Sequence, residues 1–217
     1  MKKIKLLVLF MVLVVPIIGY GQISLGPKVG INIASQFKTV HTVPKLGLSF
    51  GGAVDIPIVN GFSIQGEFLV TQKGYREEYK GKTIFDEMEA TYLEIPAMAK
   101  YTISKVNLAY FFQGGAYWGL WTKGSYLSRV DGSNITVEDY PFEKDFDKDG
   151  FKDNRSDFGL VAEAGITYDN FGSGVLALGF RYSHGLVPTN NLQNPGSGVQ
   201  SNLNKVFTLS ITYFLFL

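Results

Sequence analysis

Between residues 92 and 101 the chain reads Tyr-Leu-Glu-Ile-Pro-Ala-Met-Ala-Lys-Tyr. Taken by twos, Leu93, Ile95, Ala97, Ala99 and Tyr101 form an apolar row. Tyr92, Glu94, Pro96, Met98 and Lys100 form a row that carries charge. Such alternation predicts an extended strand with two unlike faces. The same two rows recur in seven further segments, approximately 24–34, 45–56, 62–74, 107–122, 157–169, 174–186 and 204–217. In the first, Leu25, Val29, Ile31 and Ile33 alternate with Gly26, Lys28, Gly30 and Asn32. In the seventh, Leu176, Leu178, Phe180 and Tyr182 alternate with Ala177, Gly179, Arg181 and Ser183. The connections alternate in length: 57–61, 104–106 and 170–173 are short, whereas 35–44, 75–89, 123–156 and 187–202 are longer. Asn60-Gly61 marks the first short one as a tight hairpin.

These features together predict an all-β fold: an eight-stranded antiparallel up-and-down transmembrane β-barrel with short periplasmic turns and long external loops. The apolar rows would face lipid and the polar rows the lumen. The rival is a soluble lipocalin-like barrel with an apolar cavity, and the two differ in which row faces out. Pro96 falls inside a strand that has no free edge, and proline removes a ladder donor. A local bulge is expected there, the alternative being a break with a new strand from Ala97.

Residues 1–21 read as a secretory signal peptide. Lys2, Lys3 and Lys5 precede an apolar run over 6–18, and Gly19 and Gly21 supply small residues for cleavage after Gly21. Thirteen apolar residues fall short of the roughly 20 a membrane helix needs. The mature domain would then be 22–217, with 17 bases against 19 acids, a net charge of −2 that gives nucleic acid no footing. The absence of cysteine excludes disulfides, thiolate metal sites and a cysteine nucleophile. Gly at 25 residues and aromatics at 14% suit barrel crowding and interfacial girdles.

Candidate chemistry is sparse. The lumen row carries Lys28, Lys73, Lys100 and Arg181 against Asp55, Glu67, Glu94 and Glu163. Eight strands leave an interior that side chains fill, and buried charges must pair. A structural ion network built on Lys28, Glu67, Glu94, Lys100, Glu163 and Arg181 is therefore expected, rather than an ion path or an open pore. The turn at 170–173 centres near Gly172, so opposed residues on the strands it joins should sum to about 343 or 344, at a Cβ spacing of about 5 Å. Glu163 and Arg181 sum to 344 and share the lumen row, which predicts a cross-strand pair; the alternative sends Arg181 across the lumen to Glu67 or Glu94.

In the longest loop, Asp145, Asp147, Asp149 and Gly150 alternate as at the start of a Ca²⁺ loop, with Phe151 and Asp153 completing a candidate ligand set. The twelfth position is Ser156, not Glu, so an EF-hand's bidentate ligand is missing and the pattern resembles the Asp-rich repeats of thrombospondin type 3. Without metal the loop is simply a solvated acidic segment. No other cofactor is implied. Only His41 and His184 offer a general base, and spacing from Ser35, Ser49 or Ser183 selects no nucleophile–base–orienter set, so no enzyme activity is expected.

Four stretches carry a family resemblance: Tyr20-Gly21-Gln22, Gly26-Pro27-Lys28-Val29-Gly30-Ile31-Asn32, Tyr92-Leu93-Glu94-Ile95-Pro96 with Lys100-Tyr101, and Ser156-Asp157-Phe158-Gly159-Leu160. Together they resemble the small outer-membrane barrels of Bacteroidota, the PorT-like or "porin family" group, over 22–217. The chain departs from the usual aromatic last residue, since Phe216 is followed by Leu217. The resemblance implies residence in the cell outer membrane with lipid as the constant partner. It assigns no function; the role expected for the chain is structural or in surface binding, through the external loops at 123–156 and 187–202. Alternatives are an accessory of secretion or gliding machinery, with machinery proteins as partners, and an outer-membrane lipid-modifying enzyme.

Overall fold

The computed structural model describes residues 22–36, 42–78, 85–130, 133–137, 154–169, 174–188 and 203–217. The leader at 1–21, the candidate Ca²⁺ residues Asp145, Asp147, Asp149, Phe151 and Asp153, and His41 lie outside them. Nine strands run in order: β1 (Ser24–Gln36), β2 (Thr42–Val59), β3 (Phe62–Glu78), β4 (Phe85–Ser104), β5 (Leu108–Val130), β6 (Ser133–Val137), β7 (Ser156–Tyr168), β8 (Gly174–Gly185) and β9 (Asn204–Phe216). Eight of them close into an antiparallel barrel, in which β1 pairs with β9 and β4 with β5. The ninth, β6, is a short strand folded back on the outer end of β5.

Lipid imposes the side-chain order. Leu25, Val29, Ile31, Leu48, Phe50, Phe68, Ile95, Phe112, Trp118, Leu160, Phe180, Leu209 and Ile211 are exposed on the outside. The interior is the polar side: among the described residues, 20 polar or charged side chains are buried against 13 apolar ones. A soluble barrel would reverse this, so the lipocalin-like alternative fails. Asn60 and Gly61 both have positive φ, 47° and 84°, as the centre of a type I′ turn requires. The β2–β3 and β4–β5 turns lie at the same end as both strand termini, where Leu217 N donates to Ile23 O at 2.9 Å. This short-turn end is the periplasmic one.

Two expectations need correction. No bulge or break occurs at Pro96. The strand β4 is continuous, Pro96 stands opposite Tyr117 on β5, and β3–β4 resumes the same register on both sides of it, from Gly66–Ala97 to Leu69–Glu94. The missing N–H removes pairing toward one neighbour only, which needs no extra residue. Second, the segments expected to be loops at 75–89 and 123–156 begin and end as strand. β3 runs to Glu78, β4 starts at Phe85, β5 continues to Val130, and β6 follows.

Candidate functional site: the charged lumen and the external wall

Among the described residues, three ion clusters occupy the lumen. In the middle one, the β7–β8 register sets Glu163 opposite Arg181. Arg181 Nε donates to Glu163 Oε2 at 2.6 Å, and its Nη2 contacts the same carboxylate while donating to Glu67 Oε1 at 2.7 Å. The two alternatives for Arg181 are thus both realised, because its planar fork serves two acceptors. Lys28 Nζ, from β1, lies 3.0 Å from Glu67 Oε1 and 3.0 Å from Glu163 Oε1. Two cations face two carboxylates, all at most 5% exposed, so the cluster is neutral and densely hydrogen-bonded. Gly179 makes room for it: a Cβ there would collide with Glu163 Oε1.

Gln65 links this cluster to the periplasmic one. Its Nε2 donates to Glu67 Oε1 at 2.6 Å, while its Oε1 accepts from Lys100 Nζ at 3.2 Å. Lys100 also donates to Asp55 Oδ2 at 2.5 Å and lies 5.1 Å from the ring centres of both Phe111 and Phe214. Below this pair a cavity of about 520 Å³ opens toward the short turns, lined by Ser24, Asp55, Ser63, Lys100, Thr167 and Phe214 among others.

The external cluster is separate. Lys73 Nζ sits 2.5 Å from Glu94 Oε1 and 2.8 Å from Asp157 Oδ2, with the rings of Tyr92 and Tyr117 at 4.7 and 4.8 Å. Asp157 also accepts from Asn204 Nδ2 at 3.0 Å and from Tyr117 OH at 3.2 Å. The void of about 10 Å³ between the middle and external clusters, lined by Lys28, Thr71, Lys73, Glu94 and Arg181, has room for about one water. The six expected network residues therefore divide: Lys28, Glu67, Glu163 and Arg181 meet directly, Lys100 joins through Gln65, and Glu94 belongs to the external group. Asp157 was not among the expected charges, although its parity with Glu163 on one strand marks it as lumenal.

Of the serines weighed beside His184, Ser35 alone stands on its face, on β1 with Lys205 of β9 between them. His184 lies on the outward row, its Nδ1 3.2 Å from Tyr182 OH. Ser183, its neighbour in sequence, lines the lumenal void, and Ser49 is buried in the lumen, so neither shares a face with it.

The second feature is a wall at the external end. The β5–β7 pairing ends at Leu120–Ser156, yet β4–β5 pairing continues to Phe85–Arg129 and β6 pairs along 126–130. The extra length is roughly 30 Å of strand. An extra residue on β5, Thr122, marks where the wall leaves the barrel, and its Oγ1 donates to Thr91 O at 3.0 Å. On one face Tyr92 and Trp121 stack at 6.0 Å beside Ala90 and Met88. On the other, Lys45 Nζ meets Glu87 at 2.7 Å and Glu89 at 2.9 Å, and Arg76 lies 3.6 Å from Glu87.

An apolar outer surface around a lumen closed by ion pairs defines a small, filled outer-membrane barrel. A family model described as outer membrane protein beta-barrel domain matches residues 20–191, and the chain belongs to that family. Solved outer-membrane barrels are similar to the chain at low identity. Neisserial surface protein A is 14% identical, with 90% of this chain and 97% of that one covered and a TM-score of 0.47. OprG from Pseudomonas aeruginosa is 10% identical, with coverages of 91% and 97% and a TM-score of 0.49. Ail of Yersinia pestis, solved in complex with the heparin analogue sucrose octasulfate, is 13% identical, with coverages of 90% and 100% and a TM-score of 0.45. No curated protein sequence matches.

Proposed function

We propose that this barrel works at the cell surface as a binding protein, through the external wall and the loops beside it, with a lumen that passes no solute. The observation that carries this is the wall itself. Spanning the membrane requires strands of about 9–11 residues, whereas β4 has 20 and β5 has 23. The surplus lies at the loop end and is held by cross-strand charge pairs, which suits a rigid platform in water. The partner is a surface ligand rather than a translocated solute. On the same reading, Ca²⁺ held by Asp145, Asp147, Asp149, Phe151 and Asp153 orders the loop next to this platform; calorimetry with Ca²⁺ and protease susceptibility of the loop measure it.

The test uses labelled barrel in nanodiscs on glycan and protein arrays, beside a variant in which a short turn replaces 122–154. Binding above empty nanodiscs that the variant loses supports the reading. Binding equal to empty nanodiscs, or retained in full by the variant, contradicts it.

A further inference from the structure

Among the described residues, no ion pair joins the middle cluster to the external one. The void of about 10 Å³ lies between them. Lys28 and Arg181 of the middle cluster line it together with Lys73 and Glu94 of the external one. Ser49 and Thr71, direct partners across β2–β3, line it as well. All of these residues are at most 8% exposed. The Thr71 hydroxyl, on a residue 3% exposed, has no hydrogen-bond partner among the described residues. A hydroxyl so placed costs free energy unless something bonds to it.

The lining and the volume select what that partner is. A cation would face Lys28, Lys73 and Arg181, with Glu94 as the one carboxylate among the lining residues. A chloride ion exceeds the space of about one water. The carboxylates of Glu67, Glu163 and Asp157, paired with the same three cations, would also repel it. Water is neutral, fits the volume, and carries both donors and acceptors. It can accept from an ammonium or from the guanidinium and donate to Glu94 or to the Thr71 oxygen, and about three such bonds hold a buried water. The polar chain runs from the short-turn end through Asp55, Lys100, Gln65, Glu67 and Arg181. Past the void it resumes with Lys73, Asp157 and Asn204. The void is where that chain is interrupted, and a bridging water bonds nearly as well as a direct contact.

We propose that this void binds one water, which joins the middle and external clusters into a single network, so that a charge removed from one is felt at the other. A high-resolution crystal structure of the detergent-solubilised barrel should show that water within hydrogen-bond distance of Thr71 Oγ1. T71S keeps the hydroxyl and should keep the water, whereas T71V should lose it. Urea unfolding in micelles reads the coupling, and heat-modifiable gel mobility verifies that each variant is folded. In the wild-type background, the change in unfolding equilibrium constant for K28M/E94Q should be roughly fivefold smaller than the product of the two single changes. In the T71V background that factor should fall toward unity, and in T71S it should persist. A factor unchanged by T71V would mean direct attraction between Lys28 and Glu94 and would overturn the bridge, as would additivity in the wild-type background. The crystal arm decides alone if K28M fails to fold. No density in the void of the wild-type crystal, or a halide signal there after a bromide soak, would overturn the water.

Discussion

Arg181 is the residue on which the lumen depends most. It is shared between Glu163 on the neighbouring strand and Glu67 across the barrel, so replacing it leaves two buried carboxylates with Lys28 alone. Arg181→Met is expected to destabilise the folded barrel by about 3–5 kcal/mol, measured by urea unfolding in detergent micelles. Adding Glu163→Gln leaves Lys28 with Glu67, a balanced pair, and should recover most of the loss; a double variant no better than Arg181→Met would contradict the sharing. Gly179→Val tests the same cluster from its packing side. A Cβ there strikes Glu163 Oε1, and the overpacking should cost about 1–3 kcal/mol in the same assay. The Glu163–Arg181 opposition was legible in the sequence, because a short turn and a period of two leave little freedom in register. Its sharing with Glu67 and Lys28 was not, since distances across a lumen depend on barrel closure rather than on any local spacing. Asp157 was missed for a different reason: it stands at the outer end of its strand, and its partners Lys73 and Asn204 come from distant segments of the sequence.

Among the strands, those parts that touch lipid were legible and those that stand in water were not. Lipid forces an unbroken apolar row, and that row gave the correct facing of Ile95 and Phe180 alike. Above the membrane neither face must be apolar, so Tyr75–Glu78 and Phe85–Glu89 lose the alternation although their backbone ladder continues. Arg76 opposite Glu87 is the remaining signal, an opposite-charge cross-strand pair of the kind that stabilises sheets. Pro96 misled in the other direction, since one missing donor does not require a bulge. A bulge in the next pairing, at Thr122, turns the later residues of β5 over, bringing Lys123 level with Thr91. Deleting Thr122 should therefore shift every later side chain of β5 to the wrong face. Hydrogen exchange is expected to rise along 123–130 and 85–91, while protection of β7–β9 and heat-modifiable mobility persist. Unchanged exchange in the wall would show that the bulge sets nothing.

At the scale of the whole molecule, the chain is inverted relative to a soluble barrel: its apolar atoms are outside and its ions inside. Depth matters on the outer face alone, so Phe180→Arg should cost about 2–4 kcal/mol if it lies near the bilayer midplane, measured by unfolding from vesicles, against little change for an outward residue above the membrane such as Lys123→Gln. The two tryptophans offer the most direct test of the inversion, because they lie on the same strand and point opposite ways. Trp118 is 44% exposed on the lipid side and Trp121 is 2% exposed on the inner side. In vesicles whose acyl chains carry bromine, W121F, which retains Trp118, should lose most of its fluorescence, and W118F, which retains Trp121, should lose little. Equal quenching of the two, or stronger quenching of Trp121, would contradict a barrel with this row toward lipid.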